Sequence, residues 1–367
     1  MIKEETLLEN LQIVEYSRWV EFLSGKPVSV KEAYIPKIVR EFGMPVSVVR
    51  NDLGLEENPK IKDKSAAFKE FIGFHDKPRI PTGYGPLDEA ISGGLYPGQI
   101  VYLAGRTRTG KTTIALDLIY NLAQSGTPVL FLSLEMSAGR IYDRFVRRFY
   151  GLPVSNVQRI VKAGVAEQMF SELLEDKALS NIYIYDSGAV PADNIPIILA
   201  ETEQRVGKKI GCVVIDYFEL VKVYGKDAYN QAVEASKLLA TFAKTHNVSL
   251  VVLHQCNRAA ESQQITLAHI RNAGEEDADV VVGLWRPHIA LEKNSDRFAI
   301  EARILKNRDG YETDFWIMVD TKTLSVSNVL KSLPEDYFGV SEQIEIENTS
   351  EEGRDTSDGF NYKESVF

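Results

Sequence analysis

The chain has 367 residues and a net charge of −10, a length that allows one large domain and one smaller domain. Its 44% hydrophobic and 26% charged residues are typical of an ordinary water-soluble protein. Only Cys212 and Cys256 are present, which argues against a disulfide framework or a zinc cluster. No apolar run approaches the length of a membrane span, and the polar start MIKEETLLEN is unlike a signal peptide, so we expect a cytoplasmic protein that does not bind membranes.

Residues 1–63 are predicted to form a small helical domain. One helix is expected through LLENLQIVEYSRWVEFL and a second through VKEAYIPKIVREFG, interrupted at Pro36, followed by a third at SVVRNDLG with Ser47 as its cap. Residues 64–80 are predicted to be a linker helix after the polar stretch EENPKIKDK. Its amphipathic segment SAAFKEFIGF either packs on a neighbouring subunit or belongs to a local helical cap, and the spacing leaves both open.

Residues 81–334 alternate apolar runs with amphipathic segments. The runs IVYLAG, PVLFLSLE, IYIYD, CVVIDYFEL and SLVVLHQ predict buried parallel strands, and VVVGLWR and FAIEARILK extend the series. Such alternation indicates an α/β fold with a parallel sheet covered by helices on both faces. After about residue 295, short strands and turns predict an antiparallel extension of the sheet.

The last segment, residues 335–367, is predicted to be an acidic disordered tail, because it is poor in apolar residues. It contains ten acidic and two basic residues, a net of −8, which leaves −2 of the total of −10 for the rest of the chain. Since the body is nearly neutral, the acidic total does not exclude local basic loops that bind nucleic acid.

The segment GRTRTGKT, between the run IVYLA and an amphipathic helix, matches the phosphate-binding loop pattern. Its glycines let backbone N–H groups surround phosphates at a helix N-terminus. Lys111 is expected to reach the β- and γ-phosphates, and Thr112 to ligate Mg²⁺. We therefore predict ATP and Mg²⁺ as cofactors. The predicted nucleotide-binding residues are Gly105, Arg106, Thr107, Arg108, Thr109, Gly110, Lys111, Thr112 and Thr113.

Two carboxylates end predicted strands near this loop. Asp216 closes CVVID and is expected to hold Mg²⁺ together with Thr112. Glu135 follows FLSL and either polarises the attacking water or is a surface residue. If Glu135 has no catalytic part, Asp216 and Glu219 are the next candidates.

Polar residues also follow two later strands. In SLVVLHQCNR, Gln255 is expected to sense the γ-phosphate, whereas His254 is expected to be packed in the core. In KNRDG, Lys306 and Arg308 precede a turn at Asp309–Gly310, and a hairpin there would project both cations from the sheet edge. On charge alone, a solvated hairpin with surface charges is the favoured interpretation.

Together these segments, from PTGYGPLDEAISGGLYPGQIVYLAGRTRTGKT through FLSLEMS, VVIDYFEL, VLHQCNR, HIRNAGEEDADVVVGLWRP and ILKNRDG, resemble the RecA-like motor domain of DnaB-type replicative helicases. The resemblance implies a RecA-like P-loop NTPase fold and a catalytic role for Glu135. It implies that Asp216 is the Walker B aspartate and Gln255 the motif glutamine. It also implies that Arg308 is an arginine finger acting on a neighbour's ATP, with Lys306 as its companion.

The same resemblance implies a hexameric ring that translocates 5′ to 3′ on single-stranded DNA during replication, with a primase or a helicase loader as a further partner. The segments 221–229 and 256–269 are expected to face DNA, with Lys222, Lys226 and Arg258 touching phosphates. A RecA- or RadA-type recombinase and a nucleotide-switched regulatory ATPase remain the alternatives.

Some features depart from the family pattern. Only about 80 residues precede the motor, Arg108 stands where small or apolar residues are usual, and Arg271-Asn272 replaces an Arg-Glu pair. The loop between Arg258 and His269 is also short. These departures suggest a phage, plasmid or divergent member.

Overall fold

The structure is a computed structural model that describes residues 4–55, 64–224, 228–256, 264–270, 275–287 and 296–333, together with Tyr337. The described residues up to Leu330 belong to one compact unit. The stretch EENPKIKDK (56–64), apart from its last residue, and the predicted tail (335–367), apart from Tyr337, lie outside the described residues.

Twelve α-helices and eleven strands are seen in the described part of the chain. The helices are α1 Glu4–Ser24, α2 Val28–Phe42, α3 Val46–Asp52, α4 Lys64–Asp76, α5 Gly85–Ala90, α6 Lys111–Gln124, α7 Ala138–Tyr150, α8 Val154–Lys162, α9 Ala166–Met169, α10 Ser171–Leu174, α11 Ile195–Val206 and α12 Ala228–His246. The strands are β1 Ile100–Gly105, β2 Val129–Ser133, β3 Ile182–Asp186, β4 Val190–Pro191, β5 Cys212–Asp216, β6 Val221–Lys222, β7 Ser249–Gln255, β8 Val280–Trp285, β9 Arg297–Asn307, β10 Asp314–Asp320 and β11 Ser325–Leu330.

Nine strands form one sheet in the order β3-β2-β5-β7-β1-β8-β9-β10-β11. The strands from β3 to β8 are parallel, and β9, β10 and β11 continue the sheet in antiparallel pairs. The predicted α/β fold with an antiparallel extension is therefore confirmed. The two short strands β4 and β6 pair separately in parallel.

Alternate strand residues serve two cores, one on each face of the sheet. On one face Leu103, Phe131 and Val214 pack with residues of α6 and α7. On the other face Tyr102 and Leu132 pack with residues of α11 and α12. Because both faces are covered, the parallel strands are apolar at most positions between their ends, which is why they stood out as apolar runs.

The N-terminal helices share a core with the motor. Leu23, Ile38 and Val49 are buried together with Ile197 and Ala200 of α11, so α11 completes the small helical core. Tyr34 Oη also donates to Glu201 Oε1 at 3.4 Å. The separate domain predicted over residues 1–63 stays a prediction.

Two local predictions in this region were wrong. α2 is not interrupted by Pro36: the helix continues from Val28 to Phe42, with Pro36 exposed and the residues of its buried face packed. Ser47 does not cap α3, which begins at Val46 with Pro45 at the N-cap and no side-chain cap. For α2, packing of the buried helix face outweighs the local signal of Pro36.

Helix α4 contains no buried residue. Phe68 is 62% exposed, Phe71 52% and Ile72 51%, although the three are spaced to share one helix face. The rings of Phe68 and Phe71 stack on each other with centroids 5.9 Å apart. The apolar face of α4 is thus present but uncovered within the described part of this chain.

Candidate nucleotide-binding site

The predicted phosphate-binding loop joins β1 to α6, as the motif requires. Gly110 lies at the N-cap of α6 with φ of 100°, and a Cβ there would come within 2.9 Å of Ile300 Cδ1. A Cβ at Gly105 would meet Thr109 Oγ1 at 3.0 Å and the backbone oxygen of Leu284 at 3.1 Å. Glycine is needed at both positions, because the loop backbone passes close to its neighbours and turns into the helix.

The Lys111 ammonium is folded back onto the loop. Its Nζ donates to the backbone oxygens of Gly105 at 2.7 Å and Arg106 at 2.8 Å. Burial lowers the pKa of Lys111, while Cys256, Asp216, Glu219 and Glu135 act to raise it. The cation is therefore held at the mouth of the loop by weak carbonyl acceptors that a more negative group can replace.

Thr112 and Asp216 are hydrogen-bonded to each other. Thr112 Oγ1 donates to Asp216 Oδ2 at 2.9 Å, and Asp216 is only 2% exposed. Burial raises the pKa of Asp216 to about 6, an effect that Glu135 reinforces and that Thr112 and Lys111 oppose. Strand β5 thus places this carboxylate against the first turn of α6.

Glu135 lies next to Asp216 but is exposed. In the register of β2 and β5, Ser133 is opposite Asp216, and Leu134 N donates to the Asp216 backbone oxygen at 2.8 Å. Glu135 follows directly, two residues after the strand ends, and it raises the pKa of Asp216. Glu135 is within electrostatic reach of Lys111 as well.

Gln255 ends β7 opposite Gly105 of β1. Its Nε2 donates to Thr107 Oγ1 at 2.9 Å, which ties the end of β7 to the loop. His254 is 2% exposed and stacks on Phe218 with centroids 5.1 Å apart, so the prediction of a core histidine is confirmed.

Lys306 and Arg308 lie at the opposite end of the sheet. Asn307 pairs with Val280 of β8, and Val280 pairs with Val101, near the start of β1, whereas the loop follows its end. From Val101 to Gly105, where the loop begins, is four residues, or about 13 Å at 3.3 Å per residue along β1. The structure therefore does not bring either cation to the loop of the same chain.

The predicted hairpin is present, since β9 and β10 pair antiparallel on either side of it, but the expectation that it lies at the sheet edge was wrong. Because β10 and β11 extend the sheet, β9 is an inner strand. Arg308 Nη1 donates to Asp279 Oδ1 at 3.0 Å and Nη2 to the Glu276 oxygen at 2.8 Å. Lys306 Nζ donates to the same Glu276 oxygen at 3.2 Å. Arg308 is nevertheless exposed.

The segments expected to face DNA are described only in part. Lys222 Nζ donates to the Glu219 backbone oxygen at 2.8 Å, and Tyr224 is 78% exposed. Cys256 is buried. Lys226, Arg258 and Arg271-Asn272 lie outside the described residues.

Two contributions were not foreseen from the sequence. Glu219, considered only as a substitute base, accepts a hydrogen bond from Gln255 N at 3.0 Å. Arg106 Nη1 donates to the Cys256 oxygen at 3.1 Å. The spacing of Glu219, three residues after Asp216, was the only available signal, because both contacts join residues distant in sequence. Of the described helices, none is long and apolar enough to span a membrane.

A family model described as the DnaB-like helicase C-terminal domain matches residues 79–328. The replicative DNA helicase DnaB of Leifsonia xyli subsp. xyli is 34% identical over 245 residues, which are 63% of this chain and 52% of that protein. The probable plasmid replicative DNA helicase of Chlamydia trachomatis serovar L2 is 31% identical over 284 residues, which are 74% of this chain and 59% of that protein. The chain thus spans little more than half the length of these curated relatives.

Solved structures share the fold. A solved ATPase domain superposes with a TM-score of 0.62 at 23% identity, covering 74% of this chain and 99% of that one. A DnaB-like replicative helicase, solved in a study of its interactions with primase, gives a TM-score of 0.63 at 22% identity, covering 88% of this chain and 78% of that one. The family match and these shared folds confirm the resemblance seen in the sequence motifs, and the chain belongs to the family of DnaB-like helicase C-terminal domains.

Proposed function

We propose that this protein is an ATP-driven DNA helicase that assembles as a hexameric ring and moves 5′ to 3′ on single-stranded DNA during replication. The observation that carries the proposal is the convergence of Lys111, Thr112, Asp216, Glu135 and Gln255 at one end of the sheet, while Arg308 lies at the other end. That division suits a ring in which one subunit's finger serves its neighbour's nucleotide.

The residues present fit ATP and Mg²⁺. The Thr112 hydroxyl and the Asp216 carboxylate, already 2.9 Å apart, are the oxygen ligands that Mg²⁺ takes in phosphoryl-transfer sites. Burial and Glu135 raise the pKa of Asp216 and so destabilise its charged form, which a nearby cation would stabilise. When bound, the ion neutralises charge on the β- and γ-phosphates.

Three side chains of the protein have the remaining roles in ATP hydrolysis. Lys111 exchanges its two carbonyl acceptors for phosphate oxygens, a stronger charge-assisted pairing. Glu135, exposed beside Asp216, orients and polarises the attacking water. Gln255, which is bonded to Thr107 of the loop, reports the state of the γ-phosphate to the segment after β7.

Arg308 and α4 are assigned to contacts between subunits. Arg308 is exposed, and its hydrogen bond to Asp279 fixes the direction of its side chain. From this end of the sheet it can contact a nucleotide bound to an adjacent subunit. The uncovered face of α4 at Phe68, Phe71 and Ile72 docks on a neighbouring copy. A primase or a loader as a further partner, and a cytoplasmic location, stay predictions.

The test is strand displacement on forked DNA with ATP, with the oligomer size measured in the same sample. We expect unwinding of a fork with a 5′ single-stranded arm by a six-subunit species. A filament that pairs strands without displacing them would favour the recombinase alternative. ATP turnover that DNA does not stimulate would favour the regulatory ATPase.

A further inference from the structure

Glu219 occupies a junction between the nucleotide site and both segments expected to face DNA. It lies in the short 3-10 turn Phe218–Leu220, three residues after Asp216 and directly before β6. Its backbone oxygen accepts from Lys222 Nζ at 2.8 Å. Through this turn, Glu219 is connected to the start of the segment 221–229.

The Glu219 side chain points the other way, to the end of β7. Its Oε1 accepts from Gln255 N at 3.0 Å and lies 3.6 Å from His254 Nδ1. The side chain is 37% exposed, so its carboxylate is partly withdrawn from water. One carboxylate thus fixes the backbone of the residue from which the segment 256–269 continues.

Gln255 in turn contacts the phosphate-binding loop. Because its amide N–H is held by Glu219 while its side-chain Nε2 donates to Thr107 Oγ1 at 2.9 Å, the direction of the side chain depends on where the backbone is held. The neighbouring His254 is itself held in place, because its ring packs against both Tyr102 and Phe218. The chain of contacts Glu219–Gln255–Thr107 is therefore continuous.

Burial, with a smaller contribution from Asp216, raises the pKa of Glu219 above its usual value. The backbone N–H groups of Glu219 and Gln255 and the Lys111 ammonium oppose this rise, because they stabilise the charged carboxylate. Hydrogen bonds from a backbone N–H to a charged acceptor are stronger than those between neutral groups. The contact is thus suited to hold the strand end rigidly.

We propose that Glu219 is a positioning residue that holds the end of β7, so that the Gln255 amide faces Thr107 and ATP turnover is coupled to the two DNA-facing segments. The coupling to DNA rests on the proposed helicase function, whereas the positioning of Gln255 does not. Glu219 acts through Gln255 and does not touch the reacting atoms.

The test compares Glu219→Ala and Glu219→Gln with the wild-type protein, with Glu172→Ala of the exposed α10 surface as matched control. In Glu219→Ala we expect the KM for ATP to be nearly unchanged, kcat to fall on the order of ten- to a hundredfold, and the stimulation by single-stranded DNA to be lost. Glu219→Gln keeps an oxygen acceptor for Gln255 N–H and should recover most of kcat. A general base would fail equally in both variants, so equal loss overturns the proposal.

A double-mutant cycle with Gln255→Ala provides the second measurement. If Glu219 acts through Gln255, adding Glu219→Ala to Gln255→Ala should cause little further loss of kcat. If the decreases in kcat of the two single variants multiply in the double variant, the proposal is overturned. It is also overturned if the decrease in kcat of Glu219→Ala is explained by a lower melting temperature alone. Because the cycle uses ATP turnover without DNA, it remains decisive even if the wild type fails to unwind DNA, an outcome that would count against the helicase function alone.

Discussion

The contacts around Asp216 place two carboxylates with different environments side by side. Asp216 is buried and bonded to Thr112, whereas Glu135 is exposed two residues beyond Ser133, which pairs with Asp216. A buried carboxylate is suited to hold a cation, and an exposed one is suited to act on water. This division of environment supports different roles for the two side chains.

Glu135→Gln should therefore bind ATP but hydrolyse it poorly. The amide keeps the shape of the side chain but cannot polarise water as a carboxylate does, so kcat should fall by about 10²–10⁴-fold. ATP affinity and turnover are measured separately, with the exposed Glu167→Gln of α9 as control. Normal turnover would transfer the role to Asp216 or Glu219.

The sequence predicted most of these site residues because each ends an apolar run. Gly105, Asp216 and Gln255 close strands that are buried on both faces, and parallel strands deliver their ends to one edge of the sheet. The contact of Glu219 with Gln255 was not predictable in this way. It depends on how a turn after one strand meets the next strand in space, which local patterns do not specify.

At the scale of elements, the strands were predicted well and the helix details less so. Apolar runs have few alternatives to buried strands, whereas α2 continues through Pro36 and α3 begins at Val46, so that Ser47 is inside the helix. The position of Arg308 was also predicted wrongly. The pattern of FAIEARILK does not indicate that β10 and β11 add to the sheet beyond β9, so that β9 is an inner strand. Strand order is a tertiary property.

The turn between β10 and β11 gives a prediction for stability and its pH dependence. Asp320 Oδ1 accepts from Lys322 N at 2.9 Å, Thr323 N at 2.8 Å and Thr323 Oγ1 at 2.9 Å. Partial burial acts to raise the pKa of Asp320, but these hydrogen bonds outweigh it and the pKa is lowered. Asp320→Ala should cost about 0.5–1.5 kcal/mol.

Because the folded-state pKa of Asp320 is lowered, its stabilising effect is present above the unfolded value of 3.8 and is lost as the pH falls through the folded value. The melting temperature of Asp320→Ala should lie roughly 2–4 °C below that of the wild type for each kcal/mol at neutral pH. The difference should shrink in acid. A difference that stays constant with pH would assign the effect to packing rather than to the carboxylate.

Helix α4 gives a prediction about assembly. Burying each of Phe68 and Phe71 on a neighbouring copy should contribute about 1.5–3 kcal/mol. Changing both to Glu should therefore shift the oligomer toward monomers at a given concentration while the melting temperature of the monomer stays unchanged. Lys69→Glu, on the same exposed helix, is the matched control, and sedimentation measures the oligomer. An unaltered oligomer would indicate that α4 is part of a local helical cap and does not contact a neighbouring subunit.

At the scale of the whole molecule, the two ends of the sheet carry different candidate site residues. The phosphate-binding loop follows the end of β1, whereas Arg308 N donates to the Asp279 oxygen at 2.9 Å and Asp279 N to the Ile100 oxygen at 3.0 Å, at its start. One chain therefore cannot place its own Arg308 on its own nucleotide without rebuilding the sheet. The proposed finger role of Arg308 therefore requires a nucleotide bound to an adjacent subunit.

Arg308→Ala should accordingly bind ATP and hydrolyse it poorly, with the loss on the order of 10³–10⁵ in rate if Arg308 acts as arginine fingers do. Its partner Asp279 still accepts from Ile100 N at 2.9 Å, so the variant should remain folded, which a melting curve checks. The exposed Arg159→Ala of α8 is the control. Full ATPase and unwinding activity in Arg308→Ala would overturn the assignment.

Mixing subunits separates action in trans from action in cis. Lys111→Ala removes the loop ammonium and Arg308→Ala removes the finger, so each variant alone forms rings in which every junction is defective. In mixed rings, some junctions join an intact loop to an intact finger from the adjacent subunit, and ATP turnover should partly return. If Arg308 acted on its own chain's nucleotide, no subunit in the mixture would hold both groups and no turnover would return. Verified mixed rings that stay inactive would therefore count against junctions that work independently in trans.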